Sequence, residues 1–226
     1  MSLTLYYHPL SSYCHKVLIA LYEAGTAFNA QVIDLGDADQ RATLRSQWSL
    51  CKFPVLHDSE RNRSLPESSV IIEYLDHYYP GDKPLIPTDW ASALEARLWD
   101  RIFDNHVQTP MQQIVGDRLR QTHADMSGPR SLLEVAYRVI DRQVASRTWA
   151  AHEEFTLADC AAAPALFYAT TLQPLPTELG HLRNYFARLM DRPSVRRVLE
   201  EARPYFHLYP FADAIPQRFN LGTEAP

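Results

Sequence analysis

The stretch LYYHPLSSYCHKV, residues 5–17, passes from one kind of structure to another within a few residues. Leu3 to Tyr7 is a β-prone run, and His8-Pro9 ends it, because proline has no N–H with which to continue a ladder. From Ser12 onward Val17, Leu18, Ala20, Leu21 and Ala24 recur at helical spacing, and Gly25 supplies a stop. The pattern predicts a strand, a polar turn and an amphipathic helix over 12–24. The turn gathers two hydroxyls, a phenol, a thiol and an imidazole. It reads as a reactive site or as a helix cap built from small polar residues.

Working outward, FNAQVIDL (28–35) predicts a second strand, and DADQRATLRSQW (37–48) has helical composition with arginines. FPVLHD (53–58) predicts a third strand with proline at its entrance. RNRSLPES (61–68) predicts a hairpin, and SSVIIEYLDHYYP (68–80) a helix that Pro80 ends. This order, βαβ followed by a strand pair and a helix, predicts a small α/β sheet domain over residues 1–80.

PGDKPLIPTD, with three prolines and a glycine between residues 80 and 89, predicts a stiff linker over 81–89 and a domain boundary. From Trp90 to the end no strand is predicted, so 90–226 reads as an all-α helical bundle. Pro110 should kink or divide the helical run 90–121. In FTLADCAAAPALFYATT (155–171), Thr156 is placed as N-cap, Asp159 answers it three residues on, and Phe155 is set for a hydrophobic staple. The alanines along this helix predict close packing at the centre of the bundle. The tail from His207 reads as irregular.

Composition narrows the function. The chain has 226 residues, 46% hydrophobic and 22% charged, with a formal net charge of -5. Arginines alternate with acids, so neither nucleic acid nor an anionic membrane surface is expected as partner. No apolar window is long enough to span a bilayer, and the N-terminus has no export pattern. Cys14, Cys51 and Cys160 are odd in number and lack metal-ligand spacing, which fits a reducing cytoplasm and predicts neither disulfides nor a metal.

Four stretches, LYYHPLSSYCHKV, KFPVL, ESSVIIEYLDHYYP and FTLADCAAAP, resemble the glutathione transferase superfamily in order and spacing. The resemblance spans nearly the whole chain. It implies a thioredoxin-like N-terminal domain joined to an all-helical C-terminal one, a cytoplasmic homodimer, and glutathione as co-substrate without a metal. It also implies a cis bond before Pro54, with the Phe53 backbone meeting the cysteinyl part of glutathione. Glu67 and Ser68 match the pair that holds the γ-glutamyl end, and Lys52 matches a basic position for the glycyl carboxylate. Residues 67–68 are equally suited to plain helix capping.

Two departures stand out. Many relatives read N-P-x-G-K-V-P where this chain has Trp48-Ser49-Leu50-Cys51-Lys52-Phe53-Pro54, so the loop is expected to take another backbone path. A His-Lys pair on the glycyl end is lacking, and Gln40, Arg41 or Arg45 is the substitute expected.

Glutathione chemistry requires a thiolate, whereas a free thiol has a pKa of about 8.5. A hydroxyl donating to the sulfur should contribute about 1.5–3 kcal/mol, and a helix N-terminus about 0.3–1 kcal/mol. Since one pKa unit is about 1.4 kcal/mol, a shift of about one to two units follows. Counting back from Val17, as in the serine-type zeta and theta relatives, assigns the donor to Ser11. Counting from Pro9 assigns it to Ser12. Cys14 reads as a partly buried helix residue and Tyr7 as a core residue.

The resemblance thus implies a transferase that conjugates glutathione to a small, electrophilic, apolar substrate held between the domains by residues such as His8, Phe103 and His106. The alternatives are a glutathione-dependent cis-trans isomerase, resembling maleylacetoacetate isomerase, and a non-catalytic binding or regulatory protein on the same fold.

Overall fold

The computed structural model describes residues 2–220, and the chain divides into two compact units between Ile86 and Pro87. In the first unit four strands, β1 (Leu3–Tyr7), β2 (Asn29–Val32), β3 (Val55–Asp58) and β4 (Arg63–Pro66), form one sheet in the order β2-β1-β3-β4. β1 runs parallel to β2 and antiparallel to β3, and β3 pairs antiparallel with β4. The parallel pair requires a crossover, and α1 (Ser12–Glu23) supplies it.

Alternation along β1 sorts the two faces of the sheet. Leu3 and Leu5 are fully buried, and α1 and α3 (Ser68–Tyr78) pack together with Val17, Leu18, Leu21, Ile71, Ile72 and Leu75 buried between them. Tyr6 instead joins a cluster of Ile33, Leu44 and Val55, to which α2 (Ala38–Gln47) contributes Leu44. The predicted second strand shrinks to four residues with Asn29, Ala30 and Gln31 exposed, as suits a polar sheet edge.

The stop at Gly25 is a full Schellman closure. Gly25 has φ +63°, its N–H reaches the Tyr22 carbonyl, and the Thr26 N–H reaches that of Leu21 at 3.0 Å. Past α3, the chain passes so near α1 that a Cβ on Gly81 would lie 2.6 Å from the Ala24 Cα.

In the second unit, α4 (Trp90–Ile102), a π-helical stretch (Phe103–Gln108) and α5 (Thr109–Arg120) follow without interruption. Of the kink or division expected at Pro110, the division does not occur. A proline ring clashes with the carbonyl four residues back, and the wider π turn directly before it accommodates that conflict inside a continuous helix. Then come α6 (Ser127–Gln143), α7 (Leu157–Leu172), α8 (Gly180–Asp191) and α9 (Pro193–Ala202). Two 3₁₀ stretches and the short α10 (Gln217–Asn220) follow, so the tail is less irregular than its composition predicts, and the last residues of the sequence lie outside those described.

α7 is the axis of this unit. Residues 157–169 are all buried, and α4, the π stretch, α5 and α8 pack on them. Its start is the predicted capping box between Thr156 and Asp159. Asp159 also accepts hydrogen bonds from the Ala150 N–H at 2.9 Å and the Tyr185 hydroxyl at 2.6 Å. One carboxylate thereby ties two other segments, that of Ala150 and α8, to the first turn of the central helix.

Candidate functional site

The site is assembled on the first unit, where the end of β1, the loop before β3 and the start of α3 each deliver a piece. His8, Pro9, Leu10 and Ser11 form a tight turn closed by the Ser11 N–H on the His8 carbonyl at 3.0 Å. Proline after the first turn residue sets the backbone angle that such a turn needs. Ser11 is then the N-cap of α1: its backbone is extended and its Oγ accepts the Cys14 N–H at 3.3 Å. Because Oγ acts as the acceptor, the hydroxyl hydrogen stays available to an incoming anion.

The two serines of the stretch differ in access. Ser11 is partly exposed, whereas Ser12 is 2% exposed. The cap role and the accessible hydroxyl therefore fall on the same residue. Cys14 is fully buried rather than partly so, and burial pushes its thiol up to about 12 against the opposing hydrogen bonds of Ser11 and the His8 backbone. A thiol in that state is no nucleophile. Tyr7 lies half-buried in β1, paired with Val32.

Phe53 packs its ring on the Ile33–Leu44–Val55 cluster, and the Phe53–Pro54 bond is cis. The His8 imidazole stacks on the Phe53 ring, with centroids 5.8 Å apart and planes 18° from parallel. Lys52, one residue upstream, is exposed.

Cys51 adopts φ +52°, the left-handed backbone that glycine favours. Two contacts hold it there: its N–H reaches the Trp48 carbonyl at 2.9 Å, and its Sγ lies 3.6 Å from the Arg41 carbonyl. Cys51 also packs against the Ile33 cluster, so side-chain burial offsets part of the backbone cost.

At the head of α3, Glu67 has φ +70° and ψ +109°, a backbone conformation strained for any residue but glycine. Its exposed carboxylate makes no cap hydrogen bond, which removes the plain capping account of this residue. Ser68, buried at 6% exposure, begins the helix. The first N–H groups of α3 and the positive end of its dipole thus lie beside an uncommitted carboxylate, a pairing suited to an amino acid's own carboxylate and ammonium.

Of the three side chains considered for the glycyl end, two are occupied locally. The Gln40 side chain accepts the Asp34 N–H at 2.8 Å, and Arg41 donates to the Leu35 and Gly36 carbonyls. Both shape the loop into α2. Arg45 is exposed on that helix.

The remaining candidates separate. His8 belongs to the turn just described, whereas Phe103 and His106 belong to the helical unit. Phe103 is fully buried beside Trp99, in the π stretch, as is Val107. His106 is exposed. Among the described residues, no group of three or more His, Cys, Asp or Glu is placed to hold a metal, and no helix is long and apolar enough to cross a membrane.

Two residues here were not singled out by sequence reasoning. Asp58, at the end of β3, is fully buried and accepts hydrogen bonds from the Tyr74 and Tyr79 hydroxyls at 2.7 and 2.6 Å. Burial alone would raise its carboxyl, but these bonds and those from Arg61 and Glu60 hold it down at about 2. Lys16 is buried at 1% exposure, and its Nζ donates to Ser69 Oγ at 2.9 Å, which links the second turn of α1 to the first turn of α3. The paired tyrosines at the end of α3 were the available signal for Asp58.

The fold defines a class of protein, and comparison with known proteins agrees. The model of the glutathione S-transferase N-terminal domain matches residues 5–83, and that of the C-terminal domain matches residues 130–193. The chain belongs to the glutathione transferase superfamily. A stringent starvation protein A homolog of Coxiella burnetii is 27% identical over 202 residues, covering 88% of this chain and 92% of its own. Glutathione S-transferase GstB of Escherichia coli is 24% identical over 157 residues, covering 65% of this chain and 72% of its own. Among solved structures, a glutathione S-transferase of Methylobacterium radiotolerans in complex with glutathione sulfonate superposes with a TM-score of 0.74. It is 26% identical and covers 99% of this chain and 98% of its own. A glutathione S-transferase of Methylobacillus flagellatus with glutathione bound gives a TM-score of 0.75 at 24% identity, covering 87% of this chain and 98% of its own.

Proposed function

We propose that this protein is a glutathione transferase, conjugating the glutathione thiolate to a small, electrophilic, apolar substrate. The observation that carries the reading is Ser11: an accessible hydroxyl whose oxygen accepts the Cys14 N–H, at the N-terminus of α1 and next to a buried, protonated thiol. The reactive sulfur then arrives with glutathione. The Phe53 backbone receives the cysteinyl segment before Pro54, Glu67 and the head of α3 with Ser68 receive the γ-glutamyl ammonium and carboxylate, and Lys52 meets the glycyl carboxylate.

Ser11 donates to the sulfur and lowers the cost of losing the thiol proton to solvent. The thiolate then forms a carbon–sulfur bond with the electrophile, and the displaced group leaves or the adduct takes up a proton. The three free cysteines fit a reducing cytoplasm. A homodimer is the assembly this reading carries with it.

The test is the ultraviolet absorbance of bound thiolate. Wild type should show it at neutral pH, Ser11→Ala should lose most of it, and Ser12→Ala should change it less. Equal losses, or the reverse order, would move the role away from Ser11. Failure of the wild-type protein to bind glutathione at millimolar concentration would sink the reading.

A second reading has its own support. The stringent starvation protein A homologs among the relatives carry no enzyme name, which favours a binding or regulatory role on the same fold. Glutathione binding without conjugation of any apolar electrophile would select it.

A further inference from the structure

His8 makes both hydrogen bonds that shape the turn ahead of α1. Its carbonyl accepts the Ser11 N–H at 3.0 Å, and its ring Nδ1 accepts the Leu10 N–H at 3.1 Å. The second bond is the imidazole counterpart of an Asx-turn, in which a short side chain accepts the N–H two residues on. The ring that makes it also stacks on Phe53. One side chain therefore touches the turn that aims Ser11 and the residue whose backbone is assigned to the cysteinyl segment.

We propose that His8 is a positioning residue for Ser11: the neutral imidazole, protonated on Nε2 and accepting at Nδ1, holds the turn, and protonation of Nδ1 releases it.

The chemistry is specific to histidine. Asparagine or serine at this position would offer a permanent acceptor, whereas an imidazolium offers none, since both ring nitrogens then carry protons. The Leu10 N–H would face a like partial charge in place of a lone pair. The turn would loosen at the residue directly before the N-cap, and the Ser11 hydroxyl would lose its fixed direction.

The titratable groups facing the ring oppose one another. Asp34, on the loop after β2, favours the imidazolium; His15, on α1, is buried and neutral, and charge on His8 disfavours charge there; Cys14 is buried and neutral. Burial lowers the His8 pKa and outweighs Asp34, so the neutral acceptor is the resting form. Acidification below the ordinary imidazole range would then remove thiolate by a second route, besides protonation of the thiol itself.

The inference rests on the glutathione reading, so one measurement is chosen to stand without it. In ligand-free protein labelled with ¹⁵N-histidine, the His8 ring should show an unprotonated Nδ1 and a protonated Nε2 at neutral pH. The opposite tautomer would overturn the proposal whether or not glutathione binds. With glutathione, His8→Phe, which keeps a stacking ring without the acceptor, should lower bound thiolate at neutral pH about three- to eightfold, the loss that a rise of about one pKa unit produces there. His8→Asn, which restores the acceptor in a form that does not titrate, should rescue it. The acid limb of thiolate against pH should be steeper in wild type than in His8→Asn, because only wild type takes up the second proton.

Unchanged thiolate in His8→Phe, no rescue by His8→Asn, or equal steepness would each refute the role. Absence of bound thiolate in wild type would instead fail the transferase reading and leave the tautomer measurement to decide this one. If His8→Phe does not fold, the asparagine variant and the tautomer still do so.

Discussion

Ser11 Oγ lies 3.3 Å from the Cys14 amide nitrogen and receives its hydrogen, so the serine closes the turn beneath which the cysteine is sealed. The residue with the more nucleophilic side chain is the one denied access. Cys160 is likewise fully buried, in α7, and Cys51 alone among the three is partly exposed. Iodoacetamide on the folded protein should therefore label Cys51 and spare Cys14 and Cys160 until denaturant is added. Peptide mass spectrometry reads the order, and labelling of Cys14 at the rate of Cys51 would contradict the burial.

Acid should unfold this protein in two stages. His15 is buried, donates from Nε2 to the Pro9 carbonyl at 2.5 Å, and burial takes its pKa down to about 4. An unfolded histidine binds its proton near pH 6.5, so between there and about 4 the unfolded chain gains the proton first, and stability falls by about 3 kcal/mol. His8, also lowered by burial, adds in the same direction. Below about pH 4 Asp58 takes over: its folded pKa of about 2 lies under the unfolded value of about 3.9, and about 2 kcal/mol more is lost. Urea midpoints across this range check the sequence of events, and His15→Gln should flatten the upper interval.

The left-handed backbone at Cys51 separates two substitutions. Cys51→Gly relieves the conformation and loses a packed sulfur, so it should stay within about 1 kcal/mol of wild type. Cys51→Val keeps the bulk and puts a branched Cβ where it is least tolerated, and should cost about 1–3 kcal/mol. Thermal melts of the two variants give the comparison, and a valine variant as stable as the glycine one would refute the strain.

At Glu67 stability and binding should come apart. The carboxylate is exposed and makes no cap hydrogen bond, so Glu67→Gln should leave stability within about 0.5 kcal/mol. Loss of a charged hydrogen bond to the γ-glutamyl ammonium should cost about 1.5–3 kcal/mol, a weakening of roughly ten- to a hundredfold in glutathione affinity. Calorimetric titration beside a melt tests the split.

Much of this was legible because it is local. The order of strands and helices followed from periodicity, and the Gly25 stop and the Thr156–Asp159 box from short-range chemistry. What escaped depends on contacts distant in sequence or on register. Cys51 can take a glycine's backbone because Ile33, Leu44 and Val55 hold its side chain, and no local rule announces that. Ser11 and Ser12 are neighbours on one turn, and burial tells them apart. Asp58 is defined by tyrosines sixteen and twenty-one residues away.

The π stretch fits one residue more between the flanking buried positions than a regular helix would. Trp99, Phe103, Val107 and Met111 are all buried at intervals of four residues, a spacing that would swing off a regular helix by about 40° at each step. The wider turn at Phe103–Gln108 absorbs that drift. Remove one exposed residue there, such as Asn105, and a regular helix would hold Trp99, Phe103, Val107 and Met111 within about 40° of one face. The segment should therefore tolerate the loss of one exposed residue, whereas a second loss would turn Met111 and Ile114 off the buried side by about 100°.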